Sequence, residues 1–297
     1  MRKKSMFIFL LLFIYCLQLE ATQVVLITGA NRGIGYSVAN RLASKGYIVY
    51  AGARKTSSSN QLLQACEQFP GHMHIIEIDV TDQKQVDDAV NTIITKEGRI
   101  DVLVNNAGVE MLGSIENHTI EEAQKLFDVN FFGPMRLSQA VLPFMRAKNG
   151  GRIIQISSRS GFRPLPSISV YAATKYALEG ISETMAATLK PWNIKVSLIE
   201  PGPVSTEMDF LASYGSKLSP ENDPFKALFH KVGLLDPVSP IAQTADEIAV
   251  FVQKAIEDNE PLFRYQTTDA IKQQAQKRFV DISGISYVEE WDKVLYP

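Results

Sequence analysis

From Gln23 onward the chain alternates two hydrophobic patterns. Short β-rich apolar runs fall at Val24 to Ile27, Tyr47 to Ala51, His74 to Ile78, Val102 to Val104, Ile153 to Ile156 and Val196 to Ile199. Such runs suit strands covered on both faces, as in a parallel sheet. Between them, apolar residues recur at helical spacing. Val86, Ala89, Val90, Ile93 and Ile94 define one helix, with Thr81 placed to cap its start. The span Ile120 to Ala147, carrying Ala123, Leu126, Phe127, Phe131, Leu137, Ala140 and Val141, reads as one long helix. Cys66 falls on the apolar side of another, in Leu62-Leu63-Gln64-Ala65-Cys66, as a small buried hydrophobe. Alternation of this kind predicts an α/β fold with right-handed crossovers and a doubly wound parallel sheet.

The pattern loosens after Pro201. Residues 203–240 mix Pro, Gly, Ser and Asp with scattered Met208, Phe210, Leu211, Phe225, Leu228 and Phe229. Regularity returns with a helix at Ala245 to Glu257 and a short strand near Leu262 to Tyr265. Residues 22–297 therefore read as a single domain with a flap over 203–240.

Charge excludes some partners. Lys plus Arg total 30 against 32 Asp plus Glu, so no basic footprint for nucleic acid is present. Two cysteines, Cys16 and Cys66, are too few for a disulfide framework. His72, His74, His118 and His230 lack metal-ligand spacing, and no metal is expected.

The N-terminus is the compositional exception. Arg2-Lys3-Lys4 precede an almost unbroken apolar run from Met6 to Leu19, the order of a secretory signal. As a helix the run would rise about 21 Å, short of the ~30 Å hydrocarbon core. Residues 1–21 read equally as a signal peptide or a short membrane anchor, giving a membrane-associated or exported protein, with the cytosolic face kept open. Uncleaved insertion would keep the basic flank cytosolic and translocate the domain. Asn117-His118-Thr119 is a glycosylation sequon, meaningful only in a secretory lumen.

Three clusters carry chemistry. The first strand runs into Thr28-Gly29-Ala30-Asn31-Arg32-Gly33-Ile34-Gly35 and then a helix. Glycines at such a turn let the backbone approach a pyrophosphate, whose charge the helix N-terminal amides hold. The second strand ends Ala51-Gly52-Ala53-Arg54 without the acid that selects a ribose 2′-hydroxyl. Arg32 and Arg54 together suit a 2′-phosphate, so NADP(H) is preferred over NAD(H). Finally, Tyr171 and Lys175 stand four residues apart on one helix face. A free tyrosine titrates near pH ~10, and a neighbouring cation moves it toward a useful acid/base range.

The glycine turn resembles the cofactor loop of the short-chain dehydrogenase/reductase family. Asn105-Asn106-Ala107-Gly108 resembles that family's N-N-A-G element, and Asp79-Val80 its adenine-contacting pair. Pro201-Gly202 with Val204 and Thr206 is similar to the stretch beside the nicotinamide. The resemblance implies a Rossmann-type fold. It implies cofactor contacts from Gly29, Asn31, Arg32, Gly33, Ile34 and Gly35. It extends them to Arg54, Asp79, Val80, Asn106, Ala107 and Gly108, and to Pro201, Gly202, Val204 and Thr206. The family's catalytic tetrad maps onto Asn130, Ser158, Tyr171 and Lys175. Tyr171 is then the general acid/base, and Ser158 hydrogen-bonds the reacting oxygen. Lys175 binds the nicotinamide ribose and tunes Tyr171, while Asn130 positions a relay water. Ser157 is the alternative to Ser158, whose thirteen-residue offset from Tyr171 is the better match.

Further segments narrow the resemblance to the branch holding hydroxysteroid and retinol dehydrogenases. These are Ala177-Leu178-Glu179-Gly180, Lys195 to Glu200, Arg264 to Thr268 and Asp281 to Val288. The implied reaction interconverts a carbonyl and an alcohol on a small lipophilic, steroid- or retinoid-like substrate. The family implies a homodimer through helices at Ile120–Ala147 and Ser169–Lys190. Arg159 and Arg163, flanking Ser158, read as solvated loop charges, with a part in shaping substrate entry as the alternative. A 3-ketoacyl thioester reductase, a cofactor-binding regulator without turnover and a membrane-tethered binding protein stay open as alternatives.

Overall fold

A computed structural model describes residues 22–54, 60–206, 213–217, 224–225, 242–280 and 293. The N-terminal segment 1–21, His230 and the apolar flap residues other than Phe225 lie outside the described residues, as does Asp281 to Val288.

Seven parallel strands form the central sheet. In chain order they are β1 (Val24–Ile27), β2 (Ile48–Ala53), β3 (Met73–Glu77), β4 (Val102–Asn105), β6 (Gly151–Ile156), β7 (Ile194–Glu200) and β11 (Arg264–Gln266). Their spatial order is β3-β2-β1-β4-β6-β7-β11. The direction of winding reverses between β1 and β4, and ligands of such sheets bind at the carboxyl ends of the strands beside that reversal. Several strands extend past the apolar runs into polar residues such as Asn105, Arg152 and Glu200. Ladder hydrogen bonds use backbone groups, so polar residues at a strand end remain in register.

Helices cover both faces. On one face α1 (Gly33–Ser44), α2 (Asn60–Gln68) and α7 (Ala245–Glu257) bury Val38, Leu42, Leu62, Ile248 and Val252 with β1 and β2 side chains. On the other, α3 (Gln83–Glu97), α5 (Gly133–Ala147) and α6 (Ser169–Thr188) contribute Val86, Val90, Leu137, Val141 and Met185. Each large aliphatic side chain removed from water in these layers contributes roughly 1.5–3 kcal/mol. Cys66 is half-buried against the first layer. The last helix, α8 (Asp269–Val280), follows β11.

Two sequence expectations need correction. Asp82, not Thr81, caps α3: its carboxylate accepts from Lys84 N at 2.9 Å and Gln85 N at 3.1 Å. Thr81 is engaged elsewhere, donating from its hydroxyl (2.7 Å) and its backbone N–H (2.9 Å) to Asp79 Oδ1. The span Ile120 to Ala147 is also not one regular helix. It divides into α4 (Ile120–Phe127), a π-helical turn at Asp128–Phe132, and α5. Pro134 offers no N–H to the carbonyl four residues back. Gly133 packs so tightly on Val80 that a Cβ there would lie 2.8 Å from Val80 Cγ2.

The described parts of the flap are pinned at two points. β8 (Val204–Ser205) pairs with β10 (Gln243–Thr244), and β9 (Ser213–Tyr214) pairs with β5 (Met111–Leu112). The sequon is likewise built into the fold. Asn117 is 4% exposed, and its Oδ1 accepts from Ser114 N (2.7 Å) and Ser114 Oγ (2.8 Å). Among the described residues no helix is long and apolar enough to cross a membrane.

Candidate active site

The glycine turn sits at the carboxyl end of β1, beside the winding reversal. Gly29 adopts φ +64°, a left-handed conformation that favours glycine. A Cβ on it would also lie 2.9 Å from Ala107 Cα. A Cβ on Gly35 would press into Asn106 Nδ2 and Gly29 O. The turn after β1 and the turn after β4 are therefore packed backbone to backbone. Thr28 locks them together: its hydroxyl accepts from Asn106 N and Ala107 N, both at 3.0 Å. Asn106 Nδ2 returns the tie to Thr28 O (2.9 Å) and Gly29 O (3.0 Å).

This cradle fits a dinucleotide. Arg32 is the N-cap residue of α1, in extended conformation and without a side-chain cap bond, so the helix keeps first-turn N–H groups for an anion. Asn31 is half-buried in the turn, and Ile34 packs into the core. Arg54 is exposed directly after β2, which runs in register beside β1. Asp79 and the buried Val80 follow β3, with Asp79 ordered by Thr81 and by the 2.9 Å bond from its own N–H to Gln85 Oε1. On the far side Gly202 packs on Ile271 and Val204 is buried. Thr206 returns to the glycine turn, where a Cβ on Gly33 would lie 3.4 Å from Thr206 Cβ.

The four tetrad candidates come from three elements. Asn130 lies on the π-helical turn, 1% exposed, a conformation often found at functional sites. Its Oδ1 accepts from Val109 N (2.9 Å). Its Nδ2 donates to Val109 O (2.8 Å) and Thr174 Oγ1 (3.1 Å). Gly108 lies beside both groups, since a Cβ there would be in ordinary contact with Asn130 Oδ1 at 3.4 Å and Lys175 Nζ at 3.9 Å. Tyr171 and Lys175 share the first turns of α6, with Lys175 Nζ 5.7 Å from the centre of the Tyr171 ring. Lys175 is 6% exposed and donates from Nζ to Ile156 O at 2.9 Å. Burial pulls its ammonium down from 10.5 to about 8, partly offset by the charges of Glu179 and Glu110.

Ser157 and Ser158 have different surroundings. Ser157 is buried and donates from Oγ to Glu179 Oε1. Ser158 is half-exposed and accepts at Oγ from Ser160 N at 3.1 Å. Arg159 departs from the expected solvated loop charge. It is half-buried, and its Nε has no hydrogen-bond partner among the described residues. Burial and then Arg163 lower its affinity for a proton, against the opposing pull of Glu110 and Tyr171. Among the described residues no cluster of three or more His, Cys, Asp or Glu could hold a metal ion.

Comparison with known proteins decides the family. A profile described as short chain dehydrogenase matches residues 23–213. The chain belongs to the short-chain dehydrogenase/reductase family. Mouse 17-beta-hydroxysteroid dehydrogenase type 1 is 37% identical over 274 residues, covering 89% of this chain and 79% of that protein. Human retinol dehydrogenase 8 is 34% identical over 287 residues, covering 93% and 91%. The chain is a member of the branch these two represent. A solved short-chain dehydrogenase from Streptomyces avermitilis superposes with a TM-score of 0.77 at 31% identity, over 93% of this chain and 97% of that one. The NADP-bound structure of ElxO gives 0.71 at 25% identity, over 85% and 100%.

Some residues that shape the site were not singled out by sequence reasoning. Val109 and Thr174 hold Asn130, but a backbone clamp leaves no composition signal. Thr28 opens the quoted glycine motif, yet its role as the tie between two turns appears only in three dimensions.

Proposed function

We propose that the chain is an NADP(H)-dependent oxidoreductase that interconverts a carbonyl and a secondary or primary alcohol on a lipophilic, steroid- or retinoid-like substrate. The single observation carrying this reading is Lys175: an ammonium almost out of water, held to the end of β6 and facing Tyr171 within 5.7 Å. Burying a cation is costly unless it serves or is paired.

When bound, the cofactor supplies or accepts the hydride. In the reducing direction Ser158 and Tyr171 hydrogen-bond the substrate oxygen. Tyr171 gives its phenolic proton to that oxygen as negative charge develops there. Lys175 steadies the resulting phenolate and binds the ribose hydroxyls. Asn130 serves the proton relay through an acceptor oxygen, because both its amide hydrogens are already donated. The helix N-terminus at Arg32 holds the pyrophosphate, and Arg32 with Arg54 receives the 2′-phosphate. Residues 1–21 direct or tether the chain at a membrane, and a second copy packs along α4 to α6.

A long-chain 3-keto lipid is the second substrate reading. A Bacteroides thetaiotaomicron protein named 3-ketodihydrosphingosine reductase is 41% identical over 184 residues, 62% of this chain and 65% of that one. Purified protein should be assayed for NADPH and NADH oxidation against steroid ketones, retinal, 3-ketosphingoid bases and 3-ketoacyl thioesters. Preferential NADPH oxidation with a steroid or retinoid carbonyl is expected. Turnover of thioesters alone would replace the substrate class, and no consumption with any carbonyl would leave a cofactor-binding protein without turnover.

A further inference from the structure

Behind the tetrad lies a buried ionic cluster that the chemistry above does not use. Arg264 on β11 donates from Nη1 to Glu179 on α6 and, at 2.5 Å, to Glu200 at the end of β7. Its Nη2 donates to Glu183 at 2.6 Å. Glu179 is 5% exposed and Glu200 0%. Gln266 Nε2 donates to the remaining Glu200 oxygen. Two buried carboxylates around one guanidinium are a poor device for stability, because apolar residues of similar volume often hold a fold as well. Such clusters are better suited to fixing one arrangement among several.

The cluster reaches three segments of the proposed site. Glu179 stands one helical turn after Lys175, on the same face of α6. Its other oxygen receives the hydroxyl of Ser157, the residue before Ser158. Gly161 rests directly on it, since a Cβ there would lie 2.8 Å from Glu179 Cγ. Glu200 immediately precedes Pro201 and Gly202, and Pro201 O accepts from Arg159 N at 2.8 Å, the residue after Ser158. Ser158 is thus flanked by Ser157, bonded to the Glu179 carboxylate, and by Arg159, bonded to the backbone of Pro201, the residue after Glu200. Among the charged groups facing Lys175, Glu179 is the larger favourable influence and Glu110 the smaller.

We propose that Arg264 and Glu179 are positioning residues. They hold α6, the Ser158 loop and the Pro201–Gly202 segment in one register, and the Glu179 charge helps keep Lys175 protonated. The proposal rests on the oxidoreductase reading of the same site. Burial, and then Glu200, push the Glu179 carboxyl well above the usual carboxylate range, opposed by Ser157 and Arg264. Without the guanidinium that opposition weakens and the carboxylate would take up a proton.

The test uses the full chain and the variants Arg264→Ala, Arg264→Lys and Glu179→Gln. Thermal melts establish folding, NADPH fluorescence titration reads cofactor binding, and kcat and KM are followed across pH. Arg264→Ala is expected to weaken NADPH binding and lower kcat, each by about tenfold or more, with partial recovery on adding guanidinium ion. Arg264→Lys keeps the charge but loses the fork, and should fall between. Glu179→Gln keeps an oxygen to accept from Ser157 but breaks the ion pair with Arg264, so NADPH affinity should fall less than in Arg264→Ala. Loss of its charge should move the alkaline limb of kcat toward acid by about 0.5–1 pH unit. A folded Arg264→Ala protein with wild-type NADPH affinity and kcat would overturn the proposal. If that variant does not fold, wild-type values for Arg264→Lys with an unmoved Glu179→Gln profile would do so. Should the wild type bind NADPH but reduce no carbonyl, the oxidoreductase reading fails, while the NADPH titrations still decide the positioning role.

Discussion

The ammonium of Lys175 is bonded to the backbone carbonyl of Ile156, two residues before Ser158, at 2.9 Å. The cation on α6 and the hydroxyl after β6 are thereby fixed to one point of the backbone. In the proposed mechanism Tyr171, one turn before Lys175, meets the substrate oxygen from the same frame. Proximity of this kind removes the entropic cost of assembling reacting groups at each turnover.

A pH dependence follows from the burial of Lys175. Burial lowers its ammonium from 10.5 to about 8, so the cation that the proposed reduction requires is lost above about pH 8. Carbonyl reduction should decline on that alkaline limb when kcat is measured from pH 6 to 10. The effect on stability has the opposite sense. Below about pH 8 folded and unfolded chains both hold the proton, and the cost of burying the charge is present in full. Between about 8 and 10.5 only the unfolded chain binds it, so this group's penalty shrinks as pH rises. A flat kcat profile through pH 8–10 would contradict the assignment of Lys175.

Replacing Tyr171 by Phe removes the proposed proton donor and leaves the ring and the cradle. Loss of general acid catalysis should lower kcat by about 10²–10⁴-fold. NADPH affinity and the thermal midpoint should change little. A variant with near wild-type turnover would assign the proton transfer to another group.

Cofactor choice should respond to Arg54. An Arg54→Asp variant loses charge-assisted hydrogen bonds worth about 1.5–3 kcal/mol to a 2′-phosphate, or roughly 10–100-fold in kcat/KM for NADPH. The new carboxylate would favour the 2′-hydroxyl of NADH. The ratio of kcat/KM for the two cofactors reads this directly, and an unchanged ratio would move selectivity away from Arg54.

The sequon at Asn117 should remain unmodified in the folded protein. Its side chain closes the box with Ser114 under the β5–β9 pair, where a glycan has no room. Protein directed through a secretory lumen should keep its electrophoretic mobility on treatment with peptide N-glycosidase. An Asn117→Ala change should cost about 1–2 kcal/mol through the lost hydrogen bonds from Ser114, read from denaturant unfolding. A mobility shift on deglycosylation would show that the box can open.

Much of this architecture was legible in the sequence because it rests on backbone periodicity. Uniformly apolar runs give buried parallel strands, and the Gly29 to Gly35 turn gives the crevice at the first of them. The bounds of α7 at Ala245–Glu257 were readable since Thr244 caps it with Glu247, in a box whose residues are three apart in sequence. The division of the span 120–147 was missed although Gly133-Pro134 marks it locally; only the packing of Gly133 on Val80 depends on a distant loop. The partial burial of Arg159 was missed because nothing local shows that the fold brings it within the influence of Glu110 and Tyr171. Arg264 and Glu179 each stood in a segment resembling relatives, yet 85 positions separate them, and only the sheet brings them together.

The proposed reaction is hydride transfer between a nicotinamide cofactor and a carbonyl carbon. It is tested most directly by supplying NADPH deuterated at the transferable position of its nicotinamide ring, together with a steroid or retinoid carbonyl, and analysing the product by mass spectrometry. The expected result is an alcohol carrying one deuterium on the carbinol carbon, formed by wild-type protein and nearly absent with Tyr171→Phe. Tight NADPH binding with no deuterium delivered to any carbonyl substrate would contradict it.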